Sequence, residues 1–132
     1  MHCFTEVTMT KEIITAGLPS SSNPLSPAVR WGNLLFTSGQ VGRDHSTGKL
    51  ATGITDQTRQ TLGNLQAVLK AGGSSLDKVL KVTVFIVDIN LKEAMNAVYK
   101  EYFPTAPPSR TCVEVSALSP GVFVEIEATA GI

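Results

Sequence analysis

An arginine, a cysteine and a glutamate occupy alternate positions near the C-terminal end of the chain: Arg110, Cys112 and Glu114. A second run from Val122 to Glu127 alternates in the same way. Both read as β-strands, in which every other side chain shares a face. The first strand then carries Arg110, Cys112 and Glu114 on one side and Thr111, Val113 and Val115 on the other. The second sets Phe123, Glu125 and Glu127 against Val122, Val124 and Ile126. Residues Ser116 to Gly121 are a turn-rich connection between them. Paired as a hairpin in a compatible register, the two strands would bring a guanidinium, a thiol and carboxylates onto one sheet surface, which suits a small anion. The same pattern also fits a half-exposed hairpin with a charged outer face, and spacing alone leaves both readings open.

Other elements must position these groups. Lys11 to Ala16 is a candidate first strand, and Gly17 to Pro27, rich in Pro, Ser and Asn, is an extended loop. Ala28–Trp31 and Leu34–Gln40 flank Gly32-Asn33, a pair suited to a tight hairpin turn. Ser38 and Gly39 end the second of these strands, where a hydroxyl and backbone N–H groups can face a pocket. Gly42 to Gly53 is a loop with a turn at Thr47-Gly48. Ile54 to Ala71 has the clearest helical period: Thr58, Leu62, Leu65 and Leu69, widened by Thr61 and Val68, with Gly72-Gly73 as its stop. Val79 to Val87 is apolar on both faces, with Leu80, Val82, Val84 and Ile86 on one and Thr83, Phe85 and Val87 on the other. That pattern predicts a central strand with helices on one side and a neighbouring subunit on the other. Asn90 with Glu93 predicts a capped second helix whose stripe is Leu91, Met95, Val98 and Tyr102, ending before Pro104. Asn96 lies just off that stripe and reads, by position alone, as a solvated residue. The element order predicts one α+β domain over residues 1–132: a mixed sheet of about six strands with two helices packed on one face, after a flexible extension of about ten residues.

Composition narrows the function. The chain is 42% hydrophobic and 17% charged, with eleven basic side chains balancing eleven acidic ones. No basic stripe marks a nucleic-acid binder, and no apolar run approaches the ~20 residues of a membrane span. Cys3 and Cys112 cannot build a disulfide framework, and with His2 and His45 they match no metal motif. The N-terminus lacks the features of a secretory signal, so a reducing cytoplasm is the expected address, with the mitochondrion left open.

Four segments in order carry a resemblance: residues Asn33 to Gln40, Thr58 to Leu65, Val82 to Asn90 with Met95-Asn96, and Pro108 to Val115 with Val124 to Glu127. Together they resemble the Rid family, also called the YjgF family, and more narrowly its RidA branch of reactive-intermediate deaminases. The resemblance spans about Ile14 to Ala130. It implies a chorismate-mutase-like subunit, a homotrimer with pockets at subunit interfaces, and cofactor-free hydrolysis of 2-imino or 2-enamine acids to 2-keto acids and ammonium. Such substrates arise from pyridoxal-phosphate-dependent dehydratases. In that branch the position of Arg110 holds the substrate carboxylate, for which a guanidinium's paired donors suit better than an ammonium. The resemblance also implies that Ser38 and the Gly39 backbone orient substrate, that Asn96 belongs to the pocket, that Cys112 packs near the reacting carbon, and that Glu125 positions or activates water. RidA-type members carry tyrosine in the loop before the first hairpin, where this chain has Pro24-Leu25-Ser26-Pro27. Leu25 thus replaces a phenol with an apolar wall of the pocket.

Two further functions compete. Some members of the family have been regarded as endoribonucleases and translation inhibitors, but balanced charge and the lack of a His/Lys cluster count against phosphoryl chemistry here. A non-catalytic trimer that binds small anions is the other, and Leu25 is its main support. Arg110 favours the deaminase, because family members lacking that arginine are the ones expected to be inactive on imines.

Overall fold

The longest strands alternate between fully buried and half-buried residues along their length, so each side of the sheet has one character. The computed structural model describes residues 9 to 132. His2, Cys3 and all but the last two positions of the expected N-terminal extension lie outside these residues. The elements are β1 (Lys11–Ile14), β2 (Ala28–Trp31), β3 (Leu34–Thr37), α1 (Gly53–Ala71), β4 (Val79–Ile86), α2 (Lys92–Tyr102), β5 (Ser109–Glu114) and β6 (Val124–Gly131). Short 3₁₀ turns at Leu76–Lys78 and Ile89–Leu91 lead into β4 and α2 respectively, the first directly before its strand and the second before its helix. The six strands form one sheet in the order β1-β2-β3-β6-β4-β5, with β4 and β5 parallel and the other pairs antiparallel.

Leu35, Val82, Val84, Ile86, Val124, Ile126 and Ala130 are completely buried beneath the helices, with Leu62, Leu65 and Leu69 of α1 and Met95 of α2 against them. Each such aliphatic side chain contributes about 1.5–3 kcal/mol of transfer free energy, which makes this face the main source of stability. The opposite face has no cover among the described residues. Ile13, Trp31, Leu34, Phe36 and Val113 lie on it, all between 37% and 49% exposed. A patch of that kind marks an interaction surface. No helix among the described residues is long and apolar enough to cross a membrane.

Helix α1 follows the expected stripe and ends as expected. Gly73 takes φ of 83°, its N–H bonds to Lys70 O at 3.1 Å, and Ser74 N–H reaches back to Leu69 O at 2.8 Å. This is a Schellman stop, which needs a left-handed residue that glycine supplies freely. Gly32 likewise turns the β2–β3 hairpin at φ of 59°.

Several expectations change. The hairpin of β5 with β6 does not form: β4 lies between them, paired with both. The order β4-α2-β5 is a crossover unit, and a helix between two strands brings the second back parallel to the first. Leu80 does not share the buried face with Val82, because a register shift between Val79 and Lys81 turns it out, 53% exposed. The Asn90–Glu93 capping box is absent. Asp88 instead accepts a bond from Asn90 N–H at 2.9 Å, and Ile89–Leu91 makes a 3₁₀ turn before α2 begins. Within α2 the buried residues are Met95, Val98 and Tyr99, while Tyr102 is only half-buried.

Gln57, buried in α1, ties the sheet's last strand in place. Its Nε2 donates to Gly121 O and its Oε1 accepts from Phe123 N–H, each at 2.8 Å. These bonds hold the entry to β6, which carries Glu125. Gln57→Leu fills the same space but strands one carbonyl and one N–H, each costing about 1–3 kcal/mol when buried. Gly121 is exposed and Phe123 half-buried, so urea unfolding of Gln57→Leu is expected to show a loss of about 1–3 kcal/mol; a wild-type midpoint would mean the clamp is idle.

Candidate functional site

Strand β5 is an edge of the sheet, and its register with β4 fixes which way its chemistry points. Arg110 pairs with Val82 and Cys112 with Val84. Cross-strand partners project to the same face, so Arg110 and Cys112 point to the helix layer. Arg110 is half-buried, with Cζ 4.7 Å from the centroid of the Tyr99 ring. The one ion pair among the described residues joins Arg59 and Glu101, which leaves Arg110 without a carboxylate partner there. Glu114, on the same face, is occupied: its Oε1 accepts from Ile89 N–H at 2.8 Å. Cys112 is a free thiol, half-buried and packed against the core.

Helix α2 adds polar atoms to this edge. A helix returning between parallel strands runs antiparallel to them, so the turn bearing Asn96 lies toward the Cys112 end of β5. Asn96 Oδ1 and Tyr99 OH are both buried without a hydrogen-bond partner among the described residues. Native interiors rarely leave such atoms unpaired, and those that remain ask for a reason. Burial raises the Tyr99 hydroxyl's pKa, against an opposing pull from the Arg110 charge.

A second group of predicted residues gathers elsewhere. Ser38, Gly39 and Leu25 line a cavity of about 650 Å³ between the loop before β2 and helix α1. Arg43 and His45 reach the same cavity, whereas Arg110, Cys112 and Asn96 do not. Ser38 is tied to the loop, its Oγ donating to Ser26 O at 2.6 Å and its N–H to Pro27 O at 2.9 Å. Its hydroxyl proton is thus committed, and only its acceptor side is open to a ligand. Glu125 is packed against Gly39: a Cβ built there would fall 2.6 Å from Glu125 Oε2. Only glycine allows that approach. Burial first, and then the nearby Glu127 charge, raise the Glu125 pKa from its ordinary value.

The two groups do not meet within one chain. Glu125 pairs with Phe85 and Glu127 with Thr83, on the uncovered face of the sheet. Arg110 and Cys112 occupy the helix face, so the single surface expected from a β5–β6 hairpin is divided, with Arg110 and Cys112 on one face of the sheet and Glu125 and Glu127 on the other. A single sequence names the residue types but not which strand intervenes. Sequence reasoning also missed Tyr99, placing Tyr102 on the stripe in its stead. The signal was available, since Tyr99 is one turn from Asn96 on the same helix face. Among the described residues no cluster of three His, Cys, Asp or Glu side chains could hold a metal ion.

A six-stranded mixed sheet with two helices on one face defines the fold class of the subunit. The profile of the endoribonuclease L-PSP family matches residues 15–132, and the chain belongs to that family, which includes the Rid proteins. It is 47% identical over 123 residues to a RutC family protein of Pyrococcus horikoshii, covering 92% of this chain and 98% of the other. It is 40% identical over 119 residues to the human 2-iminobutanoate/2-iminopropanoate deaminase, covering 89% and 87%. Among solved structures, a Rid family protein of Yersinia pestis superposes with a TM-score of 0.86 at 42% identity, covering 93% of this chain and 100% of that one. The E. coli TdcF structure with bound serine also gives 0.86, at 38% identity, covering 92% and 98%. These matches bear out the resemblance and the fold read from the sequence.

Gly39 offers a direct test of the second group. Gly39→Ala places a methyl group against the end of a flexible side chain, which can swing away, so stability is expected to fall by no more than about 1 kcal/mol. The displaced carboxyl becomes better hydrated, and its raised pKa should move back toward the ordinary value in a ¹³C NMR titration of Glu125. An unchanged titration would show that Gly39 does not hold that carboxyl in place.

Proposed function

We propose that the chain assembles as a homotrimer and hydrolyses 2-imino acids, or their 2-enamine tautomers, to 2-keto acids and ammonium without a cofactor. The observation that carries this reading is Arg110, half-buried at a free sheet edge with no carboxylate partner among the described residues. Such a guanidinium is a receptor for a carboxylate, and the relative that acts on 2-iminobutanoate supplies a carboxylate beside a C=N bond. A solved relative holds serine, another small 2-substituted carboxylic acid. Half-sites on opposite faces of one sheet join only when one subunit's Arg110 edge meets the next subunit's Ser38–Gly39–Glu125 face. That contact is heterologous, and a heterologous contact closes into a ring when the rotation between copies closes. The family resemblance gives the ring three members, and the uncovered apolar face gives it a surface to bury.

The chemistry needs little beyond placement. A protonated imine is already electrophilic, so orientation and one proton carrier suffice. Arg110 binds the carboxylate, with the Asn96 side chain and the Cys112 backbone at its flank. The Gly39 backbone and the acceptor side of Ser38 orient the imine. Glu125, from the adjoining subunit, takes a proton from water as the oxygen bonds to C2, giving a carbinolamine. That proton passes to the nitrogen. The C–N bond then breaks, the hydroxyl proton returns to Glu125 as the carbonyl forms, and the departing ammonia takes it as ammonium. The sum is iminium acid plus water to keto acid plus ammonium. A base must be ionised to act, and a raised pKa moves the acid limb of the rate profile toward neutrality.

Subunit mixing tests the assembly and both roles together. Arg110→Ala should lower kcat/KM by about one to two decades, the worth of a charge-assisted pair, in an assay coupling a serine or threonine dehydratase to keto-acid release. Glu125→Gln should lose about a hundredfold or more and with it the acid limb. Co-refolded one to one, the two variants should regain activity in about a quarter of their sites, since a quarter of random interfaces pair an intact arginine with an intact glutamate. No recovery, or light scattering that returns a monomer, would sink the shared site.

Leu25 predicts selectivity. Exchanging a hydroxyl for an apolar wall removes a bond worth about 0.5–1.5 kcal/mol, while each methylene buried against it recovers about 0.8 kcal/mol. Imines derived from leucine or methionine are thus expected to gain on 2-iminopropanoate, and Leu25→Tyr to narrow that ratio. If kcat/KM ratios do not move, Leu25 does not face the substrate.

A further inference from the structure

An arginine on an edge strand ordinarily samples many rotamers and loses that freedom only on binding. Arg110 is different, because its cation rests over the ring of Tyr99 at 4.7 Å. Tyr99 is itself immobilised: it is 6% exposed, belongs to the core cluster, and packs tilted on Phe103 with ring centroids 4.7 Å apart. Its hydroxyl has no hydrogen-bond partner among the described residues, so that atom does not account for its place. The aromatic face does. A ring attracts a cation through its quadrupole without drawing on a protein oxygen, so the guanidinium gains a fixed seat and keeps donors for an anion.

We propose that Tyr99 is a positioning residue for Arg110: its ring holds the guanidinium at the β5 edge, ready to receive the substrate carboxylate. The inference rests on the deaminase reading above. Tyr99 acts through Arg110 and not on the substrate, since its hydroxyl is buried. Three consequences separate this from a packing role. The effect belongs to ground-state binding of the carboxylate, so it appears in KM and not in kcat. Any aromatic ring at position 99 suffices. The effect requires the cation, so it vanishes when Arg110 is neutralised.

The experiment measures binding of 2-oxobutyrate by calorimetry and imine hydrolysis by the coupled assay in wild type, Tyr99→Phe and Tyr99→Leu, with Tyr99→Met as a second non-aromatic variant should the leucine variant not fold. Tyr99→Phe should stay within about twofold of wild type, whereas the aliphatic variants should bind about tenfold more weakly, raise KM by the same factor and leave kcat within about twofold. In an Arg110→Gln background the aliphatic substitution should leave the residual kcat/KM unchanged, which a double-mutant cycle reads directly. Wild-type binding in a folded aliphatic variant overturns the proposal, as does a loss in Tyr99→Phe equal to that in Tyr99→Leu. A loss of the same size with and without Arg110 does so too. A wild-type protein that neither binds 2-oxobutyrate nor hydrolyses imines overturns the deaminase reading itself, which is a different failure.

Discussion

The crossover from β4 through α2 to β5 constrains everything else in the molecule. A helix between two strands of one sheet brings the second back parallel to the first, so β5 takes the free edge beside β4. β6 must then enter between β3 and β4. Because paired residues share a face, this placement sends Arg110 and Cys112 to the helix layer and Glu125 to the uncovered side. The separation of Arg110 from Glu125 is thus a consequence of strand order. A hairpin would have set the arginine and the carboxylates on one surface; the crossover sets them on two.

The two helices treat polar groups in opposite ways. Helix α1 buries Gln57, Thr58, Thr61 and Asn64, and every one is bonded. Gln57 clamps the entry to β6, the threonines donate to the carbonyls one turn back, and Asn64 Nδ2 donates to Val41 O and Arg43 O. These bonds fix the segment that follows Gly39, and with it the wall of the cavity. Among the described residues helix α2 leaves Asn96 Oδ1 and Tyr99 OH unpaired, the latter on the ring over which Arg110 rests. A satisfied buried network adds rigidity, while an unsatisfied one costs stability.

The sequence made some of this legible and some not. The 3.6-residue period of α1, its glycine stop and the Gly32 hairpin are local, and local chemistry decides them. The faces of β5 and β6 were each correct, since alternation is intrinsic to a strand. Which strands pair is not local, and adjacency in sequence wrongly favoured a hairpin. Leu80 was misplaced because one extra residue in the ladder reverses a face, and nothing in Val79-Leu80-Lys81 announces it. The start of α2 was misplaced because Asp88 and Asn90 are both competent caps, and only the 3₁₀ turn distinguishes them. At the site, residue types and the glycine were readable; the division of labour between faces was not.

The same geometry links assembly to ionisation. On the uncovered face Glu125 and Glu127 stand two residues apart, and both burial and mutual repulsion favour the protonated form of Glu125. A carboxyl group must be ionised to take a proton from water. In the proposed ring, the guanidinium of a neighbouring subunit approaches this carboxyl from outside and favours its charged form. Substrate, whose carboxylate occupies that guanidinium, weakens the effect again. In that ring the base would work between two influences of opposite sign, one from its own chain and one from the next, and an intersubunit site would gain a physical use beyond the sharing of residues.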